Sequence, residues 1–285
     1  MTTLITGGAS QTGVALAKLL QASGHPVLFA SRSGRVPEGF DSVKFDFTDP
    51  STFEAPFSAS GHKIEYVYLL LPLLDPLREA KPFIDLAVTK GTKRFVLLSA
   101  SGKFTEKGPG SHGTGQVHTY LDEQGLDYVA LRPNWFTENL LRVYAVGIKQ
   151  YNVIQNTLAT ARIPLIAVDD IAQAAFDAIT DVGKLPNREP ILIGPDLVSY
   201  SEIAEAFSQT LGRPITFSVI SREELLKRYL SYGVPDALAH YLADLEDEEE
   251  NNGASEALLK DPRSLTGKLG VKEWIVKHKQ DFISA

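Results

Sequence analysis

The chain of 285 residues contains no cysteine, which removes disulfides, thiolate zinc sites, iron–sulfur clusters and a cysteine nucleophile together. Long hydrophobic runs are missing as well. A membrane-spanning helix needs roughly 20 apolar residues in a row, and the apolar segment from Leu4 to Leu20 is interrupted by glycines and polar residues. No basic leader precedes the first apolar run, so a soluble, cytoplasmic protein without a signal peptide is expected. Positive charge is in deficit: 28 Lys and Arg stand against 35 Asp and Glu, a formal net charge of -7. With no dense basic stripe, the phosphate neutralisation that dominates nucleic-acid affinity has no source. The histidines His25, His62, His112, His118, His240 and His278 show no helical i,i+4 pairing with an acid, so no metal is expected. A small organic molecule is the partner class left.

What is present is ordinary globular material, 44% hydrophobic and 22% charged, enough for one large domain or one domain with an appendage. Short apolar runs at 3–6, 27–31, 43–46, 66–71, 94–99 and 128–132 alternate with helix-length segments. Parallel neighbours need a crossover, usually a helix, so this alternation predicts α/β architecture with a doubly wound parallel sheet. The run YVYLLLP is apolar on both strand faces, as a central strand should be. Beyond about Asp169 the pattern turns mostly helical. Residues 1–150 are read as the sheet domain and 151–285 as a smaller, mostly helical C-terminal part, interleaved with it around 165–195. Ser199 with Glu202 and Ser221 with Glu224 have capping-box spacing. Asp169 and Asp170 are expected to cap a helix beginning near Ile171, and the acid run from Glu246 to Glu250 to be a solvated helix end.

The opening stretch MTTLITGGASQTGVAL sets a strand directly before Thr6-Gly7-Gly8-Ala9-Ser10-Gln11-Thr12-Gly13 and a helical pattern after it. Gly7 permits a tight turn, Gly13 permits close helix–sheet packing, and the helix N-terminus between them can receive a pyrophosphate. Ser10 stands where a glycine normally sits, its hydroxyl able to donate to a phosphate oxygen. Taken alone, the pattern is equally that of a plain glycine-rich turn. The second strand adds to it. A reader of the ribose 2′-hydroxyl would place an acid at its end, but this chain has ASRSGR, with Arg32 and Arg35 flanked by Ser31 and Ser33. Guanidinium and hydroxyl donors suit a 2′-phosphate, so NADP(H) is expected rather than NAD. Asp46 is expected to close the third strand near the adenine. The apolar stretch LLLPLLDPL, with Leu71, Pro72 and Leu73, is expected to border the nicotinamide and a hydrophobic small-molecule substrate.

The glycine loop, RFVLLSASG (94–102), LRPNWFTENL (131–140) and IPLIAVDDIAQAA (163–175) together resemble the NmrA-like branch of atypical short-chain dehydrogenases/reductases over nearly the whole length. Within that branch, GQVHTYLDEQGLDYVALRPNWFTENL is most similar to the festuclavine and agroclavine dehydrogenase group, which reduces a cyclic iminium with NADPH in ergot alkaloid pathways. The resemblance implies a Rossmann-type NADP-binding domain with a C-terminal substrate-binding cap; whether the chain is a monomer or a homodimer is left open by the sequence. It also implies that Thr6, Gly7, Gly8, Ser10, Gln11, Thr12, Gly13, Ser31, Arg32, Asp46, Leu71, Pro72, Ser99, Pro133 and Asn134 hold the cofactor. Leu73, Trp135, Phe136 and Asn139 are the candidate substrate contacts. The chain departs from the wider superfamily at its Tyr-x-x-x-Lys pair: the matching segment reads His112-Gly-Thr-Gly-Gln116, and Tyr120 is followed four residues later by Gln124. His112, Ser101 and Gln116 are the candidate catalytic residues. Hydride delivery to C=N⁺ yields a neutral amine without a proton donor, whereas ketone reduction needs one. Two other readings stay open: a dinucleotide-binding redox sensor without turnover, and a non-redox isomerase or cyclase using the same pocket.

Overall fold

The computed structural model describes residues 2–59, 61–72 and 75–283. Along the chain the elements are β1 (Thr2–Ile5), α1 (Gln11–Ala22), β2 (Val27–Ser31), β3 (Asp41–Lys44), α2 (Ala55–Ser58), β4 (Ile64–Leu69), α3 (Pro76–Thr89), β5 (Arg94–Leu98), α4 (Thr114–Glu123) and β6 (Tyr128–Pro133). There follow α5 (Asn139–Arg142), β7 (Val153–Asn156), α6 (Val168–Thr180), β8 (Ile191–Ile193), α7 (Tyr200–Leu211), β9 (Thr216–Val219), α8 (Arg222–Ser231), α9 (Asp236–Asn252), α10 (Ala254–Ala257), β10 (Ser264–Thr266) and α11 (Val271–Lys277). The contacts divide the chain into two units. One comprises 1–134 and 168–192, the other 135–167 and 193–285.

In the first unit the strands stand in the order β8-β6-β5-β4-β1-β2-β3 and every pair is parallel. This is the doubly wound, Rossmann-type α/β arrangement that the alternation of runs predicts. β1, β2 and β6 are buried along their whole length, as strands covered on both faces must be. β3, at the edge, is largely exposed. It ends at Lys44, so Asp46 lies two residues beyond the strand rather than closing it. Helix α1 turns Leu16, Ala17 and Leu20 inward at helical spacing and packs against α6. The core between β3, β4 and α3 is aromatic, with Phe45, Phe53 and Phe83 in contact at centroid separations of 4.7 to 5.6 Å. Helix α6 begins at Val168, which puts Asp169 and Asp170 inside its first turn. There they complement the helix dipole instead of serving as the cap.

The second unit has its own core, including Tyr144, Ile154, Tyr200, Phe207, Trp274 and Phe282, and its own parallel pair of β7 with β9. Both capping boxes form as spaced: Ser199 with Glu202 opens α7, and Ser221 with Glu224 opens α8. The acid run is solvated only in part, with Glu248 exposed and Glu246 and Glu249 buried. Glu246 and Glu249 are each only 3% exposed, because α9 continues to Asn252 and turns these carboxylates onto donors from other segments. Glu246 accepts from Tyr229 Oη at 2.8 Å and Thr157 Oγ1 at 2.5 Å. Glu249 accepts from the backbone and hydroxyl of Ser255, and Glu250 from the Thr160 and Ala161 amides.

Candidate functional site

The strand order reverses between β1 and β4, and open parallel sheets bind ligands outside the carboxyl ends at that point. Thr6 joins the two strand exits there. Its hydroxyl donates to Leu70 O at 3.0 Å and accepts from Leu70 N–H at 2.7 Å. Gly7 and Gly8 follow in the left-handed region, at φ 85° and 55°, where residues with a Cβ are strained. Space excludes a side chain too. A Cβ on Gly7 would lie 2.8 Å from Leu70 Cδ2, and one on Gly8 2.9 Å from Ser31 Oγ. At Gly13 it would come within 2.6 Å of Ser10 Oγ and 2.9 Å of Ile5 Cγ2, which is the close helix–sheet packing expected of the last glycine.

Ser10 precedes α1 in extended conformation but makes no side-chain cap. Its Oγ is buried and has no hydrogen-bond partner. An uncommitted hydroxyl beside two left-handed glycines, at the free amides of a helix N-terminus, fits a pyrophosphate. Gln11 and Thr12 form the start of the same turn of α1. At the exit of β2, Ser31 is buried while Arg32, Ser33 and Arg35 are exposed. Arg35 Nε donates to Ser33 Oγ at 3.3 Å. The Thr48 N–H holds the Asp46 carboxyl below its usual range, with the Thr48 hydroxyl and the charges of Arg32 and Lys44 adding to the effect. Arg32 and Asp46 therefore share one neighbourhood. A guanidinium and hydroxyls at this exit, in place of a carboxylate, fit a ribose 2′-phosphate.

Two hydroxyl contacts define the exits of β5 and β6. Ser99 Oγ lies 2.8 Å from Thr114 Oγ1, and Ser101 donates from its hydroxyl to Asn134 Oδ1 at 3.2 Å and from its amide to Pro133 O at 3.0 Å. Leu71 and Pro72 are partly buried beyond β4. Thr114 is a residue that reading by motif missed. Its sequence signal is its place as the first helical residue after Gly113, whose φ of 55° turns the chain into α4. His112 is exposed just before that turn. Gln116 lies elsewhere, on a shallow groove with Leu77, Gly110, Ser111, Thr119, Tyr120 and Glu123. Trp135, Phe136 and Asn139 belong to the second unit, where Phe136 bridges to Ile166 and Asn139 is the first residue of α5. Leu73 lies outside the described residues.

Folding also creates a tyrosine–lysine pair that no local motif contains. Lys81 of α3 donates to Tyr120 Oη of α4 at 3.1 Å, and that hydroxyl donates in turn to Asp85. The pair does not acidify the phenol. Desolvation and the accepting Asp85 carboxylate push the Tyr120 hydroxyl up, against the smaller effect of Lys81. Deeper in the first unit His118 is completely buried, and both ring nitrogens lack a partner. Desolvation lowers its pKa to about 4. Among the described residues, no group of three His, Asp or Glu could hold a metal ion, and no helix is long and apolar enough to cross a membrane.

The sequence profile of the NmrA-like family matches residues 1–275. Festuclavine synthase I of Penicillium roqueforti (strain FM164) is 38% identical over 260 residues, covering 88% of this chain and 89% of its own. Agroclavine dehydrogenase of Claviceps purpurea is 34% identical over 291 aligned positions, covering 100% of this chain and 96% of its own. Among solved structures, the triphenylmethane reductase of Citrobacter sp. complexed with NADP(H) superposes with a TM-score of 0.73 at 19% identity, covering 98% of this chain and 99% of that one. That likeness establishes a shared fold.

Proposed function

This chain belongs to the NmrA-like family, and from that premise we propose that it is an NADPH-dependent reductase. Its substrate in this reading is a cyclic imine or iminium of an indole-alkaloid-like metabolite, and its reaction is direct hydride transfer to the C=N carbon. The observation that carries the reading is the glycine turn, which leaves a buried Ser10 hydroxyl without a partner at the N-terminus of α1, next to a β2 exit bearing Arg32 and no acid. The names of the relatives, a festuclavine synthase and an agroclavine dehydrogenase, support the substrate class.

The turn from Thr6 to Gly13 would hold the pyrophosphate, Ser31 and Arg32 the 2′-phosphate, and Ser99, Pro133 and Asn134 the nicotinamide end. NADPH, when bound, supplies the hydride. On an iminium carbon that hydride would leave a neutral amine, so a cationic acceptor requires no residue to give up a proton, and a neutral imine would have to be bound in its protonated form. What the chain must provide is orientation, which is worth roughly 7 to 11 kcal/mol when reacting groups are held at contact. Trp135 and Phe136 are proposed as aromatic walls for the cation, with Asn139 beside them and His112 dispensable.

The test follows NADPH absorbance in single turnover against a panel of cyclic iminium ions and ketones. Oxidation with iminium ions, and a His112→Ala variant slowed less than about tenfold, is the expected result, since a positioned acid is worth roughly 10²–10⁴-fold. Tight NADPH binding with no oxidation by any acceptor would overturn the reading in favour of a redox sensor. A hundredfold loss in His112→Ala would move it to carbonyl reduction or isomerisation.

A further inference from the structure

Arg132 lies in β6 between Leu131 and Pro133 and is 0% exposed. Removing a guanidinium from water costs several kcal/mol unless its donors are matched. A core position in a strand would be filled at far lower cost by Leu or Met, so the cation has a task there. Its targets define that task. Nε donates to Ala100 O at 3.2 Å, Nη2 to Ser101 O and Gly102 O at 3.3 Å each, and Nη2 also meets Glu106 Oε1 at 3.4 Å. Three successive peptide carbonyls thus converge on one planar cation, a match that the guanidinium fork provides and an ammonium does not.

The same loop is tied from two further sides. Thr105 Oγ1 lies 2.7 Å from both Ala100 O and Gly102 O, and Ser101 is bound to Pro133 O and Asn134 Oδ1. Gly115 closes the back: a Cβ there would stand 2.7 Å from Glu106 O. The segment held in this way carries Ser99 at its start and Ser101 within it, the two hydroxyls at the exit of β5. All of these residues belong to the first unit.

We infer that Arg132 is a positioning residue: by fixing the peptide planes of Ala100 to Gly102 it sets the direction of the Ser99 and Ser101 hydroxyls toward the nicotinamide end of the dinucleotide. The inference rests on the NADPH-dependent reading above. It assigns to a buried strand residue, with no access to solvent, control over how the reactive ring is held.

The test compares full-length protein with Arg132→Lys by three measurements: calorimetry for NADPH stoichiometry and Kd, emission yield and anisotropy of the bound reduced nicotinamide, and single-turnover hydride transfer to a cyclic iminium with deuterated cofactor. Expected for Arg132→Lys are full NADPH stoichiometry and a Kd within about threefold of the parent, with hydride transfer slowed about tenfold or more, the scale of a sub-ångström misplacement. The nicotinamide emission should move toward that of free cofactor. A variant that melts earlier yet keeps the parent's emission and rate per bound NADPH would show a purely structural cation and overturn the inference. If the parent oxidises no NADPH at all, the reductase reading falls, while the emission comparison still decides the role of Arg132. Should Arg132→Lys not fold, Glu106→Gln removes only the carboxylate partner; a smaller change in the same direction is expected, and unchanged emission and rate would overturn the inference.

Discussion

Arg32 and Ser10 show how a single side chain takes meaning from its place at a strand exit. Arg32 is exposed beyond β2, with its charge felt by Asp46. In the proposed reading its guanidinium pairs with the 2′-phosphate, a charged contact worth roughly 1.5 to 3 kcal/mol. Arg32→Ala should therefore weaken NADPH binding about tenfold to a hundredfold while leaving NADH nearly unchanged, as measured by calorimetry with both dinucleotides. Equal affinities for the two in the unmutated chain would refute the assignment. Tyr120 teaches the opposite lesson. A lysine contacts it, as in an acidified phenol, but Asp85 and burial outweigh that cation, and the shift runs upward. Contact with a cation decides nothing until the other neighbours are weighed.

Among the elements, α9 departs furthest from its sequence pattern. Its acidic stretch has the composition of a solvated face, yet Glu246 binds Tyr229 and Thr157, and Glu250 binds the amides of Thr160 and Ala161. The helix thereby staples the segment after β7 to itself and to α8. Glu246→Ala leaves two hydroxyls without their acceptor, so it should destabilise the chain by about 1 to 3 kcal/mol. The exposed Glu248→Ala should stay within about 0.5 kcal/mol. Urea midpoints give the comparison, and amide exchange should quicken at 156–161 in the first variant alone. Indistinguishable midpoints would mean that the carboxylate contributes nothing. Helix α8, by contrast, begins where the local spacing of Ser221 and Glu224 says it should, because a capping box involves residues of a single turn.

At the scale of the whole molecule, His118 links stability to pH. Desolvation holds it neutral in the fold, with a pKa of about 4, against the attraction of Glu189 and with help from the charges of Arg132 and Lys107. In the unfolded chain it takes up a proton near pH 6.5. The unfolded state then binds more protons, so stability is complete above about pH 6.5 and declines as pH falls toward 4, by at most about 3 kcal/mol from this group. His118→Leu should show a smaller loss of urea stability between pH 7.5 and pH 5 than the parent; an equal loss in both would exclude the histidine as the source. The sequence by itself determined the parallel α/β architecture, the glycine turn at Gly7 and Gly8, the capping boxes and the family, because strand burial, backbone conformation and helix ends act through neighbours a few residues apart. Only the tertiary structure decided the partners of polar groups that lie far apart in the chain. Lys81 reaches Tyr120 across 39 residues, Thr157 reaches Glu246 across 89, and Arg132 finds the carbonyls of Ala100 to Gly102 about 30 residues back. Apolar periodicity reports which face of an element turns inward, but an acid that finds a donor in the interior has the same local pattern as one in water, and long-range packing alone brings the donor to it.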